Sequence, residues 1–148
     1  MPLTIASLRP EDHLEWLDLW QGYLEFYETE LEDRVSETTF SRMTSSAPDI
    51  HGAIARDAKG RAVGIVHWLT HAGTWTTTEY VYLEDLFVSV DARGLGVGRA
   101  LIDHVRSWAE LRGADKVYWL TAETNSRARV LYDRVATRTG FIHYEVPV

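Results

Sequence analysis

Three glycines at alternate positions, between a strand pattern and a helix pattern, constrain this chain more than any other feature. The segment RGLGVG, residues 93–98, follows the β-branched and aromatic run EYVYLEDLFVSV and precedes apolar residues at helical spacing. The first N–H groups of a helix lack intrahelical partners, and the helix dipole is positive there, so this end attracts anions. Glycines let the backbone approach an anion without an intervening Cβ. The segment therefore suits a phosphate or pyrophosphate, although a tight strand-to-helix turn would use the same glycines.

Two widespread phosphate-binding motifs do not match this segment. Gly94, Gly96 and Gly98 are spaced G-x-G-x-G, whereas the dinucleotide fingerprint requires G-x-G-x-x-G. No Lys-Ser or Lys-Thr pair follows the last glycine, which excludes a P-loop. Arg93 and Arg99 flank the glycines and supply positive charge for an anion.

Composition limits the class of protein. The 148 residues favour one domain spanning 1–148, and no apolar run is long enough to predict a membrane span. The absence of cysteine excludes disulfides and thiolate chemistry, and no signal-peptide pattern opens the chain, so a cytoplasmic location is expected. A net charge of −7 argues against general nucleic-acid binding.

The charge is unevenly distributed along the chain. Residues 1–88 contain 15 acidic and 6 basic residues, whereas residues 89–148 contain 7 and 9. This asymmetry suits a protein that holds a cation and an anion together, although chance scatter of surface charge explains it equally well.

The order of periodic segments predicts a mixed α/β fold, β-α-α-β-β-β-α-β-α-β. The expected strands are 3–8, two strands of a hairpin within 50–70, then 79–90, 116–122 and 140–146. The expected helices are one carrying Leu14, Leu17, Trp20, Leu24 and Tyr27, a short one at 37–43, one from Val97 toward Gly113, and one at 125–138 with Asn125 as N-cap.

Two signatures in this order resemble the Gcn5-related N-acetyltransferases, the GNAT family. RGLGVG between a strand and a helix resembles the family's motif A, and NSRARVLYDR resembles its second signature through Asn125, Ala128 and Tyr132. The resemblance covers about residues 80–141. It implies a mostly antiparallel, twisted sheet of six to seven strands flanked by about four helices. It also implies acetyl-CoA as cofactor, with coenzyme A as product.

The resemblance also implies which residues contact the cofactor. The glycine-turn amides would bind pyrophosphate, and the fourth strand would separate from the fifth to leave backbone groups free for the pantetheine arm. The implied residues are Leu86, Phe87, Val88, Arg93, Gly94, Leu95, Gly96, Val97, Gly98, Arg99, Asn125, Ser126, Arg127 and Ala128. One departure is visible, because the family often places Gly-Phe about four residues after the tyrosine, and here Gly140 follows Tyr132 by eight. This extension leaves the register of the last strand open.

Within the family, YLEDLFV followed by RGLGVG resembles the polyamine branch, the spermidine/spermine and thialysine acetyltransferases. FYETEL, residues 26–31, is similar to the N-terminal substrate segment of that branch. The C-terminal signature is also similar to small yeast-type acetyltransferases that act on histones, polyamines or D-amino acids. Both resemblances imply a basic amine as acceptor.

Acetyl transfer from a thioester to an amine needs a neutral amine, a stabilised carbonyl oxygen and a proton for the departing sulfur. The polyamine resemblance implies that Glu84 removes the amine's proton through water. Asp85, its neighbour, would point to the opposite face of a regular strand. Tyr132 lies about two helical turns after Asn125 on the same face, and its phenol could protonate the sulfur.

An acidic, aromatic pocket is expected around the acceptor, because aromatic faces attract ammonium groups. The residues expected to bind the acceptor are Tyr27, Glu28, Glu84, Asp85 and Trp119, with Glu123 as a further candidate. His67, His71 and His104 lack metal-ligand spacing and are interpreted as ordinary, so no metal is expected. The expected partners are a small-molecule amine and a second copy of the chain, without nucleic acid or membrane.

Several readings stay open. The leading prediction is an acetyl-CoA-dependent N-acetyltransferase acting on a small cationic amine by direct attack in a ternary complex. Alternatives are acetylation of a protein or peptide, an amino acid or an aminoglycoside, a non-catalytic acyl-CoA-binding module, and a nucleotide-binding protein.

Overall fold

The computed structural model describes residues 2–148, and its elements follow the predicted order as far as the last helix. The helices are α1 (His13–Phe26), α2 (Asp33–Thr44), α3 (Val97–Leu111) and α4 (Ser126–Val135). The strands are β1 (Thr4–Ser7), β2 (His51–Arg56), β3 (Ala62–His71), β4 (Tyr80–Val88) and β5 (Lys116–Tyr118). Short 3₁₀ turns at Pro10–Asp12 and Val90–Ala92 lead toward α1 and α3.

The strands form one sheet in the order β1-β2-β3-β4-β5. Neighbouring strands are antiparallel from β1 to β4, whereas β5 runs parallel to β4. Helix α3 provides the crossover connection that a parallel pair requires. The mixed, mostly antiparallel α/β class with four helices is confirmed. The expectation of six to seven strands is wrong, because residues 2–148 contain five.

The missing strand pairing lies at the C-terminal end. Residues 116–122 were expected to be extended throughout, but only Lys116–Tyr118 pair with β4. Residues 140–146 were expected to form the last strand of the chain, yet they form no strand and are exposed. A strand needs a neighbour to bond its N–H and C=O groups, and this chain does not bring these two segments together.

The core has two parts, one on each face of the sheet. On one face, α3 buries Val97, Leu101 and Val105 against strand residues that include Val66 and Val81. Apolar residues at this helical spacing were expected, and their burial explains why α3 lies flat on the sheet.

Helices α1 and α2 cover the opposite face of the sheet. The buried stripe of α1 consists of Trp16, Leu19, Trp20 and Leu24, whereas Leu14, which was expected on that stripe, is 78% exposed. The spacing predicted the helix correctly, and Trp20 and Leu24 are buried as expected, but Trp16 and Leu19 complete the buried stripe in place of Leu14 and Tyr27. Helix α2 is longer than the predicted 37–43, and it packs Phe40 and Met43 into the same cluster.

Strands β4 and β5 separate soon after they meet. Their pairing covers Tyr80–Tyr82 of β4 against Lys116–Tyr118, and the following residues of β4 pair only with β3. The backbone of residues 83–88 therefore has one free edge, which faces the gap between the two strands.

A β-bulge interrupts β4 beside this gap. His67 pairs with Asp85 and Trp68 with Leu83, so Glu84 has no partner of its own in β3. Leu83 packs into the core under α3, whereas Phe87, four residues later, packs into the core under α1. Regular alternation would place both on one face, so the bulge shifts the alternation by one residue.

Candidate active site

The glycine turn is an open cradle at the start of α3. Gly94 and Gly96 have φ angles of 80° and 84°, a left-handed conformation that favours glycine, and Gly96 is the N-cap of α3. A Cβ built on either residue meets no heavy atom within 4 Å. The turn therefore faces free space with the unpaired first N–H groups of a fifteen-residue helix, as a pyrophosphate site requires.

The remaining residues of this turn have different surroundings. Val97 is buried in the core, Leu95 is exposed, and a Cβ on Gly98 would lie 3.3 Å from Leu131 of α4. Gly98 thus allows α3 and α4 to approach each other. Within this turn, therefore, only some of the residues predicted to contact the cofactor have side chains that face the open cradle.

The two arginines also differ. The Nε of Arg93 donates to the Val88 carbonyl oxygen at 3.2 Å, and its guanidinium lies 5.7 Å from the ring centres of both Phe26 and Phe87. Arg93 therefore ties the end of β4 to the end of α1. Arg99 is exposed on the first turn of α3, and within residues 2–148 it forms no ion pair.

The free edge of β4 continues from this cradle. Leu86 and Val88 point toward α3 and α4, since both lie within 4 Å of a Cβ built on Gly98, whereas Phe87 packs under α1. Their backbone groups border the gap where β5 has left the sheet. An extended thiol-bearing arm could bond to these groups as an additional strand would.

Helix α4 lines the other side of the gap and carries Tyr132. Asn125 is the N-cap residue as predicted, but its side chain donates to Thr121 Oγ1 at 3.2 Å and does not cap the helix. Ser126 and Arg127 are exposed on the first turn, and Ala128 is half-buried beside them.

Tyr132 itself is half-buried, with its ring 5.4 Å from Trp119 in an edge-to-face arrangement. Burial, with a smaller contribution from Tyr27, raises the pKa of Tyr132 to about 12. The phenol therefore keeps its proton at neutral pH, which is the form that a proton donor needs.

The β4 bulge places two carboxylates on the α1 side of the sheet. Asp85 contacts His67 on this side, and Glu84 lies beside Tyr82 and Asp85. The expectation that Asp85 points away from Glu84 is wrong, because the bulge adds one residue to the alternation. Burial and the charge of Asp85 raise the pKa of Glu84, while Tyr82 and His67 oppose this shift.

Asp85 ends a buried hydrogen-bond chain that the sequence did not reveal. Trp16 Nε1 donates to His67 Nε2 at 3.0 Å, and His67 Nδ1 lies 2.9 Å from Asp85 Oδ2. An indole N–H can only donate, so His67 Nε2 must be an acceptor and Nδ1 must carry the proton. His67 is therefore a neutral donor to Asp85, a contact that its position in the sequence did not indicate.

Two tyrosines of the α1 region lie beside the carboxylates. Burial raises the pKa of Tyr23, and the charge of Asp85 and a hydrogen bond to its carboxylate raise it further. The ring centres of Tyr23 and Tyr27 lie 4.9 Å apart. Burial and the charge of Asp85 raise the pKa of Tyr27. Tyr27 in turn influences the pKa of Tyr132. Tyr23 and Tyr27 thus form an aromatic wall beside the acid pair.

The predicted acceptor residues divide into two groups. Glu84 and Asp85 lie on the part of β4 that pairs only with β3, Tyr27 packs on Tyr23, and Trp119 packs on Tyr132. Glu28 is exposed, with a φ of 52° and its backbone N–H bonded to the Glu25 carbonyl oxygen. The described contacts do not join the Glu28 carboxylate to the acid pair.

Trp16, Tyr23 and His67 were missed as site residues. Aromatic residues recur on one helix at Trp16, Trp20, Tyr23 and Tyr27, and this spacing was a usable signal for Trp16 and Tyr23. His67 had no local signal, because its partners are distant in the chain.

The fold and the site define an acyl-CoA-dependent N-acetyltransferase: a glycine cradle, strands that separate to expose a backbone edge, and a protonated tyrosine beyond it. A family model described as the acetyltransferase (GNAT) family matches residues 14–136, and the chain belongs to this family. It is therefore an N-acetyltransferase that uses acetyl-CoA as donor.

Two proteins that are similar to this chain in sequence are also named as N-acetyltransferases. The D-amino-acid N-acetyltransferase HPA3 of Saccharomyces cerevisiae is 38% identical over 144 residues, which is 97% of this chain and 89% of that protein. The uncharacterized N-acetyltransferase YhfO of Bacillus subtilis is 24% identical, with 96% of this chain and 95% of that protein covered.

Among solved structures, the fold is similar to that of AAC(6')-Iy in complex with the bisubstrate analog CoA-S-monomethyl-acetylneamine. The TM-score is 0.85 at 18% identity, with 100% of this chain and 99% of that chain covered. This similarity shows the fold.

In the described part of the chain, no three His, Asp or Glu side chains are grouped to hold a metal ion. None of the helices within residues 2–148 combines the length and hydrophobicity needed to cross a membrane.

Proposed function

We propose that this N-acetyltransferase acetylates the primary amine of a small cationic acceptor, of the diamine or polyamine class, by direct attack in a ternary complex. The observation that carries this proposal is the β4 bulge, which turns Glu84 and Asp85 toward the same aromatic wall. Two adjacent carboxylates with tyrosine rings around them attract a cation by charge and by cation–π contact. Residues 1–88 carry a net negative charge, which adds a negative electrostatic potential that also attracts a cation.

Glu84 is proposed as the base. Its pKa is raised by burial and by Asp85, which brings its proton affinity closer to the working range of a general base. Glu84 takes one proton from the acceptor's ammonium group, directly or through a water, and leaves a neutral nitrogen for attack. Asp85 keeps the second negative charge in place through His67 and Tyr23 and is proposed to hold the cation.

Tyr132 is proposed as the acid. As the new C–N bond forms and the C–S bond breaks, its phenol donates a proton to the departing sulfur of coenzyme A, and the second proton, which the nitrogen releases as it becomes an amide, returns through solvent to the phenolate. The N–H groups on the free edge of β4, around residues 86–88, are proposed to bond the carbonyl oxygen of the bound acetyl group. Acetyl-CoA supplies the activated acetyl group, and its pyrophosphate is proposed to rest on the Gly94–Gly98 cradle.

A D-amino acid is the second candidate acceptor, because the 38%-identical yeast relative carries that activity in its name. An amino acid brings a carboxylate beside its amine, and that carboxylate would be repelled by the acid pair unless a cation neutralised it. Arg93, which stacks on Phe26 and Phe87, is the cation in this region. Peptide and aminoglycoside acceptors remain further alternatives.

A coenzyme A release assay with a panel of amines tests the proposal. The panel contains putrescine, spermidine, a lysine analogue, D-amino acids, an aminoglycoside and a histone peptide, each with excess acetyl-CoA. We expect diamines and polyamines to give the highest kcat/KM, and added salt to reduce it more for polycations than for monoamines. Best activity on D-amino acids or on neutral amines contradicts the cationic-acceptor proposal. Absence of amine-dependent release with every acceptor contradicts the catalytic one.

The same assay tests Glu84. Attack requires a neutral amine, so wild-type kcat/KM should rise between about pH 6 and 9, as the amine or its base loses a proton. Glu84→Gln keeps the size and removes the charge, so we expect a lower kcat/KM and a stronger dependence on high pH. Wild-type behaviour of Glu84→Gln at pH 7 would mean that another group or water is the base.

A homodimer is proposed as the assembly, and its support is the exposure of the apolar side chains Phe141, Ile142 and Tyr144.

A further inference from the structure

Tyr82 and Tyr118, the tyrosine pair, lie next to Glu84 without a role in the proposed acetyl transfer. Tyr82 of β4 and Tyr118 of β5 are paired in register, and their ring centres lie 5.0 Å apart. Their neighbours Leu83 and Val117 pack under α3, so alternation along each strand turns the tyrosine pair toward the α1 side, where Glu84 also lies. Both tyrosines are half-buried, and neither belongs to a hydrophobic core cluster of the described chain.

The hydroxyl of Tyr118 donates its proton to a histidine. His71 Nδ1 lies 2.9 Å from the Ala72 carbonyl oxygen, which can only accept, so Nδ1 of the neutral ring carries the proton. His71 Nε2 is then an acceptor, and it lies 2.7 Å from the Tyr118 hydroxyl oxygen. The hydroxyl therefore donates to His71, and the lone pairs of its oxygen are left for a further donor.

The hydroxyl of Tyr82 is engaged in the same way. It forms a hydrogen bond with the carboxylate of Glu84, and an ionised carboxylate can only accept, so Tyr82 is the donor. Burial, the charge of Glu84 and this hydrogen bond together raise the pKa of Tyr82 to about 12. Burial, followed by the charge of Glu84, also raises the pKa of Tyr118. Both phenols therefore keep their protons at neutral pH and direct them to partners within the chain.

This arrangement selects the charge of a ligand. A phenol oxygen whose proton is engaged can only accept, so the tyrosine pair presents two hydrogen-bond acceptors and no free O–H donor. An ammonium group can only donate and suits this surface, and the two ring faces and the charge of Glu84 attract it further. A carboxylate or phosphate on the tyrosine pair would meet only acceptors and a like charge.

An ammonium group of the chain itself lies at the outer end of this surface. Lys116 Nζ lies 4.3 Å from the ring centre of Tyr80 and 5.9 Å from that of Tyr118. Lys116 pairs with Tyr80 at a position two residues, or about 7 Å along the strands, from the tyrosine pair. These rings thus hold an ammonium group already, and a positive charge stands just beyond the tyrosine pair.

We propose that the tyrosine pair is a second cation subsite, which takes the distal ammonium of a diamine whose reacting amine lies at Glu84. The hydroxyl oxygens of Tyr82 and Tyr118 accept hydrogen bonds from this ammonium, and the positive charge of Lys116 closes the subsite to a third ammonium. The proposal rests on the proposed cationic acceptor and adds the number of charges that the enzyme prefers, which is two on a short chain. A monoamine leaves the subsite empty, and a longer polyamine brings a charge against Lys116.

Steady-state kinetics with butylamine, putrescine and spermidine test the proposal, since butylamine and putrescine differ in one terminal amine. We expect the wild type to give its highest kcat/KM with putrescine. In Tyr118→Phe and in Tyr82→Phe, the ratio of kcat/KM for putrescine to that for butylamine should fall about tenfold, because each loses one hydrogen bond to a charged group. The change should come mainly from the KM of putrescine. Tyr80→Phe keeps the ring beneath Lys116 and is the matched control, with an unchanged ratio.

Lys116→Gln tests the outer end of the subsite. Without this charge, kcat/KM for spermidine relative to putrescine should rise about threefold, as expected for two unit charges about 7 Å apart in water. Lys59→Gln, in the β2–β3 turn, controls for the change in net charge and should keep the wild-type preference.

Failure of the second subsite is distinguishable from failure of the cationic acceptor. Equal use of butylamine and putrescine by the wild type contradicts the subsite, as does a wild-type ratio in both Tyr118→Phe and Tyr82→Phe, and the cationic acceptor survives either result. Spermidine that is preferred to putrescine by the wild type contradicts the role of Lys116. If none of the three amines is acetylated while D-amino acids are, both proposals are wrong. The wild-type ratio tests the subsite even where a variant fails to fold.

Discussion

His67 holds Asp85 through a hydrogen bond of 2.9 Å from its Nδ1, and the opposite ring nitrogen is occupied by Trp16. Both ring nitrogens are therefore used, and the imidazole is held in a single orientation. His67 has 1% of its surface exposed, so it cannot exchange a proton readily with water. The arrangement fixes the position of a carboxylate and is unsuited to proton relay from solvent.

This arrangement predicts that Asp85 acts mainly in acceptor binding. Asp85→Asn keeps the shape and the bond from His67 but removes the charge, so the KM for a cationic amine should rise about tenfold or more, a loss of about 1.4 kcal/mol. The dissociation constant of acetyl-CoA, measured by calorimetry, should stay unchanged. Asp103→Asn, at an exposed position of α3, controls for the change in net charge. An effect on kcat alone, with KM unaltered, would assign Asp85 to chemistry and not to binding.

Tyr132→Phe removes the candidate proton donor with little change in volume. We expect kcat to fall by about 10²–10⁴ while acetyl-CoA binds nearly as in the wild type. Because burial raises the pKa of Tyr132 to about 12, the wild-type rate should also show no alkaline decrease from this group below about pH 11. Tyr80→Phe is the control for loss of a phenol elsewhere in the chain. Retention of full kcat in Tyr132→Phe would show that water or another group protonates the sulfur.

Gly96→Ala tests the glycine cradle. The left-handed φ of 84° strains any residue with a Cβ by about 1–2 kcal/mol, and the added methyl group also enters the open space where pyrophosphate is proposed to bind. Both the free energy of unfolding and the affinity for acetyl-CoA should therefore fall.

Gly60→Ala separates these two effects. Gly60 has a φ of 81° and equally open surroundings, but it lies in the β2–β3 turn. It should lose similar stability, measured by denaturant unfolding, and keep its affinity for acetyl-CoA. Equal affinity losses in the two variants would mean that strain, not contact with the donor, governs binding.

Features that depend on local chemistry were predictable from the sequence alone. The glycine turn and α3 were predictable because positive φ angles need glycine and because Val97, Leu101 and Val105 repeat at helical spacing. The position of Tyr132 on α4 followed from a signature within one helix. These features place the cofactor cradle and the candidate acid without knowledge of any distant contact.

The tertiary structure decided what depends on strand pairing and on distant partners. The bulge at Glu84 appears only when β3 and β4 are paired in register, and it alone turns Glu84 and Asp85 to the same side. His67 gained its role because packing brought Trp16, 51 residues away in the chain, against its second nitrogen. The strand pattern of residues 140–146 was visible in the sequence, but a strand forms only where another edge bonds to its backbone. Local preference therefore sets which segments can become strands, and the available neighbours decide which of them do.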